Sequence, residues 1–483
     1  MSLLPFLMVT VGAAAGALAL RSRPLLATPV GVAGLGAAVL VAVAIRPGER
    51  LALGGSAFVT SDFLRLFLAL CSASGLALAL VGIAAGSRRD APAVMLGALA
   101  AMALALAIPD ARIAIVASTA GGLLGVLVTL VPGGARVGAS VGVREIRAVI
   151  VAGTMAIAAA AWVGRPLGSP DVQPIVFGLA YLSFVLAVAV RFGVIPFHFW
   201  AARLADAAPE VTLPVLTAWG PAALAVVALA WIDGSVAPLL PEVSGERAVV
   251  VGIALLTVGL AAVAAWLQDD LEHVLGYSIM GDAGIVLFGL AALGTDAWTP
   301  ARTWIIAFVV ARSAFAAWVA AVRTTFWTGR IEDLRGWARR SPTLAAALAL
   351  VIVASLGLPG FVAFEARGSL VELLFGRPAG ALVLVLTLGP LAYYGRLFLV
   401  GLRRPHGGST AEDWRPRWTP LDLTQTRASL GTLARVNRAF STAMLAMVLA
   451  ALAVATSAGA FGVRDAAAGV GPGFEGGAPI EAP

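Results

Sequence analysis

The 483-residue chain contains no lysine; all 33 of its basic side chains are arginine. Lysine loses its proton readily when buried, whereas arginine stays charged in any protein setting. Cysteine occurs once, at Cys71, which excludes a disulfide framework and a cysteine-ligated cluster. The three histidines, His198, His273 and His406, lie far apart in sequence, so neither a histidine metal site nor a bis-histidine haem is expected within the chain. No glycine-rich phosphate loop follows a strand. No cofactor and no active site of its own are expected, and any redox chemistry would belong to partner subunits.

Charge is scarce at 12% of residues, while 60% are hydrophobic and the mean hydropathy is +0.95. Those values predict an all-α polytopic membrane protein set in a lipid bilayer. Fourteen apolar spans are long enough to cross a hydrocarbon core about 30 Å thick. They fall at 3–20, 25–45, 63–85, 91–108, 112–132, 145–163, 174–195, 211–232, 247–267, 273–294, 301–326, 343–375, 380–402 and 440–462. The first resembles a signal-peptide core, but Met1 to Pro5 carries no positive side chain, so it reads as a retained helix.

Loops after odd-numbered spans hold nineteen arginines and those after even-numbered spans hold seven, Arg302 among the latter. The odd loops are thus expected to be cytoplasmic and both termini outside, in a bacterial plasma membrane. The net charge of +7 falls mostly in these one-sided loops and requires no nucleic acid.

Two spans should be interrupted. In LAVAVRFGVIPFHFWAARLADAAPEVTLPVLTAWGP, residues 186–221, Arg191 precedes Pro196 and the aromatic cluster that contains His198. Proline removes a backbone donor and clashes with the preceding turn, so the helix should break near Val194. Free backbone inside a bilayer is tolerated only beside protein or a water-filled cavity, and a charge one turn away marks a candidate site. The twelfth span is too long for one straight helix; its LGLPGF at 356–361 reads as two half-helices joined at Pro359 and Gly360. Broken helices in corresponding halves point to an inverted repeat with a site near mid-membrane.

RFGVIPFHFWAARLADAAPEV resembles the "K-x-x-x-x-P-F-H-x-W … A-P" signature of the antiporter-like membrane subunits of respiratory complex I, the NADH-quinone oxidoreductase subunit N, M and L type. Subunits of cation/proton antiporters and membrane-bound hydrogenases share this architecture. ASLGLPGFVAFEAR resembles the family's "S-L-x-G-x-P-x-x-x-G-F-x-x-K", and QDDLEHVLGYSIMGDAGI its "Q-x-D-x-K-R-x-L-A-Y-S-S-x-x-x-x-G". The resemblance covers about residues 60 to 400. It puts Arg191 and Arg367 on family lysines and Arg312 on a mid-helix histidine. It implies two inverted five-helix repeats, each with a broken helix. The expected units are helices 1–3 at 1–90, a first repeat at 91–232, a second at 247–402, a cytoplasmic loop at 403–439, helix 14 at 440–462 and a disordered tail at 463–483.

The resemblance further implies a membrane-arm subunit that translocates protons, partnered by other membrane subunits and meeting quinone only through them. Candidate pathway residues are Arg191, His198, Glu210, Asp282, Arg312, Glu365 and Arg367, with entry near Arg191 and Glu210 and exit near Glu365 and Arg367. The departures are Ser118 and Thr119 where pumping members have a glutamate, Pro221 for a bridging lysine, Ala316 for a lysine, and Glu272–His273 for a Lys-Arg pair. These leave open a non-pumping structural subunit, or a hydrogenase, antiporter or inorganic-ion transporter subunit. Asp282 and Arg312 could equally form a structural ion pair.

The arginine asymmetry predicts an inside location for Ser409. On a Cys71→Ala background, Ser409→Cys should be labelled only by membrane-permeant reagents; labelling from the outer face alone would overturn this topology.

Overall fold

The computed structural model describes residues 1–53, 56–86, 90–130, 136–162, 174–235, 243–404 and 425–469. The helices are α1 Leu3–Ala19, α2 Pro24–Val43, α3 Asp62–Ala85, α4 Ala91–Ala107, α5 Ala111–Leu130, α6 Arg136–Trp162, α7 Pro174–Phe192, α8 Ala201–Ala207, α9 Gly220–Ser235, α10 Ser244–Leu267, α11 Leu271–Ala292, α12 Thr295–Phe326, α13 Trp337–Arg340, α14 Pro342–Leu356, α15 Val362–Leu386, α16 Pro390–Leu402, α17 Gln425–Ala458 and α18 Val463–Ala468. Among the described residues, ten segments are long and apolar enough to cross a membrane, and four shorter apolar helices accompany them. One feature departs from an all-α reading. A short antiparallel hairpin, β1 Arg50–Leu53 with β2 Ser56–Val59, links α2 to α3.

Side chains set the helix ends. Ser61 Oγ accepts from the Leu64 N–H at 3.1 Å and caps α3, and Asp270 accepts from the His273 N–H at 2.9 Å and caps α11. Prolines open α14 and α16, where a missing N–H costs nothing. The bundle is built for lipid. Leu25, Leu40, Leu382 and Phe199 face outward, while Arg191, Arg302, Arg312 and Arg367 are buried. Small residues allow close helix approach; a Cβ on Gly34 would overlap the Ala13 methyl.

α12 is the axis. It packs against α3, α11, α14, α15, α17 and α18, and Trp304 and Trp318 on it are fully buried. A helix that is apolar all round, with a few internal charges, is stable only inside such a bundle.

Both expected interruptions fall near prolines. α7 stops at Phe192, Gly193 takes φ +64°, and a single turn at Phe197–Phe199 leads to α8. Trp200 Nε1 donates to the Val190 carbonyl at 2.9 Å, which also accepts from the Gly193 N–H at 3.0 Å, so the tryptophan ties the turn back onto the end of α7. α14 stops at Leu356, Gly357 and Gly360 take φ +64° and +90°, and α15 begins at Val362. A third discontinuity, at Gly376 with φ +67°, kinks α15 where the twelfth and thirteenth spans were divided.

Three boundaries differ from the sequence expectation. α17 begins at Gln425, fifteen residues before the expected helix 14, because its first turns are arginine-rich and lack the apolar density that marks a span. The expected loop at 403–439 thereby shortens, and its stretch 405–424 lies outside the described residues. The expected tail starts with α18, held on α12 and α3 by buried Val463, Ala466 and Ala467; residues 470–483 lie outside the described residues.

A side chain at Gly357 meets both the left-handed backbone and Phe364, whose amide nitrogen lies 3.0 Å from the position of a Cβ. Gly357→Ala should lower stability by about 1–2 kcal/mol, measured by thermal unfolding in detergent. An unchanged Tm would show that this break tolerates a helical backbone.

A candidate functional site along the central helix

Three polar stations lie along α12. At its C-terminal end Arg323 bonds the Glu210 carboxylate and meets Glu272 Oε1 at 2.7 Å. These three side chains come from α12, from the turn between α8 and α9, and from the first turn of α11. A cavity of about 320 Å³ opens here, lined by Glu210, Arg323, Thr324, Trp327 and Arg438. Beside it His273 bridges two acids, with Nδ1 2.7 Å from Asp270 and Nε2 3.4 Å from Asp206. At Asp270, outside the span, partial burial pushes the carboxyl up, but the bonds it accepts from the His273 ring and backbone outweigh this and hold it below the usual carboxylate range.

Eleven residues earlier, roughly 16 Å along a helix, Arg312 is fully buried. Its Nε donates to Asp282 Oδ2 at 2.5 Å and its Nη1 donates to the Tyr394 hydroxyl at 2.7 Å, which lies 3.1 Å from Ser355 Oγ. Arg367 sits within electrostatic reach of Asp282, with its guanidinium 5.3 Å from the Phe364 ring and 5.8 Å from Trp304. Arg312 Nη2, Arg367 Nε and Nη2, and the Tyr393 hydroxyl are buried with no protein partner. The next residue on α12, Ser313, accepts from Trp219 Nε1 at 3.0 Å, tying this station to the widened π-helical turn Val215–Trp219.

At the N-terminal end of α12 a second cavity, of about 460 Å³, is lined by Asp296, Thr303, Glu365, Ser369, Arg464 and Asp465. Glu365 is 51% exposed and lies 3.6 Å from Arg464. The sequence reading placed Glu365 and Arg367 together at the exit; two residues on a helix are about 200° apart, so Arg367 turns inward and Glu365 turns to the cavity mouth. Arg302, counted above with the loops, is likewise inside α12. It donates to the Gly469 carbonyl at 2.5 Å and lies over Phe63 and Trp298, 4.1 and 4.6 Å from the ring centroids.

Arg191 is 3% exposed and does not join Glu210. It lies against Gly122 on α5 and Gly220 on α9, and its electrostatic partner is Glu145 on α6. His198, half-buried, stacks near Phe199 and its Nδ1 meets no partner. Sequence reasoning missed three groups: Arg323, which sits at a span end; Glu145, flanked by Arg144 and Arg147; and Arg302. An acid at the head of the expected sixth span, 145–163, was the available signal at Glu145.

Fold and buried charge define a polytopic membrane protein with interrupted helices. More particularly, residues 171–391 match the family described as NADH:quinone oxidoreductase/Mrp antiporter, TM, and all three motifs quoted above fall inside that region. The resemblance is shown by this match and by relatives named NADH-quinone oxidoreductase subunit N. One from Hydrogenovibrio crunogenus is 29% identical over 209 residues, 43% of each chain; one from Halorhodospira halophila is 32% identical over 200 residues, 41% of this chain and 40% of the other. The chain thus spans about two fifths of the length of the curated relatives it matches. Three solved structures share its fold. A chain of the Mrp complex from Dietzia sp. DQ12-45-1b has TM-score 0.75 and 20% identity over 96% of both chains. One of the Thermus thermophilus respiratory complex I has TM-score 0.68 and 19% identity over 93% of this chain and 97% of that one. One of the archaeal membrane-bound sulfane sulfur reductase has TM-score 0.70 and 19% identity, covering 94% and 99%.

The buried Asp282–Arg312 pair should behave as a unit. Removing the acid alone, in Asp282→Leu, strands a buried guanidinium and should cost about 3–5 kcal/mol. Adding Arg312→Met should restore most of that loss. Unfolding in mixed micelles titrated with denaturing detergent measures both; additive losses would show that the pair carries no coupling.

Proposed function

We propose that the chain is a membrane-arm subunit of a complex I-like NADH-quinone oxidoreductase, which translocates protons while partner subunits reduce quinone. The reading takes in fourteen crossings, two inverted repeats, both termini on the outer side and a bacterial plasma membrane. The observation that carries it is the series of charged stations on α12, each joined to carboxylates or hydroxyls of other helices. A lipid-facing or merely packed helix has no use for such groups, which are costly in a bilayer.

In this reading Glu210 and Glu272 accept protons at the cytoplasmic cavity, Asp282 and waters on the unpaired donors carry them across the centre, and Glu365 releases them at the outer cavity. The arginines hold fixed charge and set the affinity of neighbouring acids. A cation/proton antiporter subunit is the second reading, favoured by the TM-score of 0.75 with the Mrp chain against 0.68 with complex I.

Proton uptake by vesicles carrying the assembled complex, driven by its own electron donor, tests the first. Glu210→Gln leaves Arg323 its bond to Glu272, so assembly should persist while uptake per electron falls. Unchanged coupling in Glu210→Gln, Glu365→Gln and the double variant would remove the relay and leave a structural subunit. Uptake that appears only with an added alkali cation would favour the antiporter.

A further inference from the structure

Arg191 is a buried charge at the end of an interrupted helix, and a guanidinium there must be compensated. Its surroundings are shaped for it. A Cβ at Gly122 would overlap its Nη2, and one at Gly220 would come within 3.3 Å of the same nitrogen. One turn along α5 from Gly122, a Cβ at Gly125 would lie 3.2 Å from Glu145 Oε1. Two glycines on one face of α5 therefore make room for an arginine from α7 and a glutamate from α6. Glu145 is 2% exposed. Of the charged groups on the helices packed against α6, namely Arg112 on α5, Arg191 on α7, and Arg203 and Asp206 on α8, only Arg191 is buried.

A cavity of about 20 Å³ lies at this junction, lined by Ser118, Gly122, Gly125, Arg191 and Gly220 among others. Two polar atoms of its lining are buried and meet no protein partner, Ser118 Oγ and Arg191 Nε. That volume accommodates one water, and buried waters settle where orphaned polar groups converge.

We infer that Glu145 is the proton-exchanging carboxylate of the α5–α6–α7 junction, acting through a water held between Ser118 Oγ and Arg191 Nε, with Arg191 as its fixed counter-charge. This rests on the proton-translocating reading. The step conserves charge: an O–H bond of the Glu145 carboxyl breaks as one forms on the cavity water, and Arg191 stays protonated throughout. Ser118 occupies a position where the resembled family's pumping members have a span-five glutamate, and here an acid from the next helix lies against Gly125 of the cavity wall.

The test uses the assembled complex in vesicles. Glu145→Gln should slow proton uptake by about a hundredfold, the low end for loss of a positioned proton-transfer group, with assembly and electron transfer to an artificial acceptor retained. Glu145→Asp should recover part of the rate with a shifted pH profile. A carboxyl C=O infrared band that grows on acidification should be present in the parent and missing from Glu145→Gln. If Glu145→Gln fails to assemble, Ser118→Ala decides: slowed uptake supports the inference and unchanged uptake overturns it. Normal uptake in Glu145→Gln, or no difference band, sinks this inference alone. No uptake in the parent complex sinks the proposed function and this inference with it.

Discussion

Burying arginine constrains this molecule more than any other feature. A guanidinium cannot shed its proton to escape a low-dielectric interior, so each one must be met by an acid, a dipole or an aromatic face. Among the described residues, the four arginines in the core are met in four ways. Arg312 has the Asp282 carboxylate and the Tyr394 hydroxyl, Arg191 has Glu145, Arg302 has a backbone carbonyl and two rings, and Arg367 has the Asp282 field and two more distant rings. Because these partners lie on different helices, satisfying the charges ties α3, α11, α15 and α16 to α12, and α6 to α7. Apolar packing alone could not specify this arrangement, since lipid offers the same helix faces equally apolar company.

The parts of this arrangement that were legible in the sequence are those with a local cause. Pro196 and Pro359, each near a glycine of positive φ, announce interrupted helices through backbone chemistry that needs no tertiary information. Intramembrane charge announces itself by contrast, as at Asp282 and Arg312. Groups that flanking residues disguise were hidden. Glu145 sits between two arginines and reads as the outermost residue of the sixth span, although its helix starts nine residues earlier. Arg302 and Arg323 lie near the ends of an apolar run, where snorkelling is the ordinary expectation. Glu365 misled for a geometric reason: nearness in sequence to Arg367 does not place it on the same helix face. The early start of α17 was hidden because a helix leaving the hydrocarbon keeps its period but loses its hydropathy.

The lack of lysine reassigns roles under the proposed reading. Lysine can act both as a charge and as a proton carrier; arginine acts only as the first. The carrying would fall to acids, hydroxyls and water, and the arginines then determine how readily each acid takes a proton. Arg323 touches both Glu210 and Glu272. When one of those acids binds a proton, the other still compensates the arginine, so protonation leaves no stranded charge.

The formal charges of the three stations differ along α12, and that sequence bears on which ion passes. Glu210 and Glu272 against Arg323 and Arg438 leave no net charge. Asp282 against Arg312 and Arg367 leaves one excess positive charge. Asp296, Glu365 and Asp465 against Arg464 leave two excess negative charges. A metal cation entering from either cavity would therefore meet a desolvated positive centre that offers a single, already bonded carboxylate. Such a centre is a barrier to any ion that must travel as a whole charge. A proton has another course, because it can bind at one end of a hydrogen-bonded chain while a different proton leaves the other end. Tyr394, Ser355 and the unpaired donors of Arg312, Arg367 and Tyr393 are the groups on which such a chain would stand. Under the proposed function, the positive centre on α12 thus favours proton over metal-cation passage, even though the fold is shared with a chain of an Mrp complex.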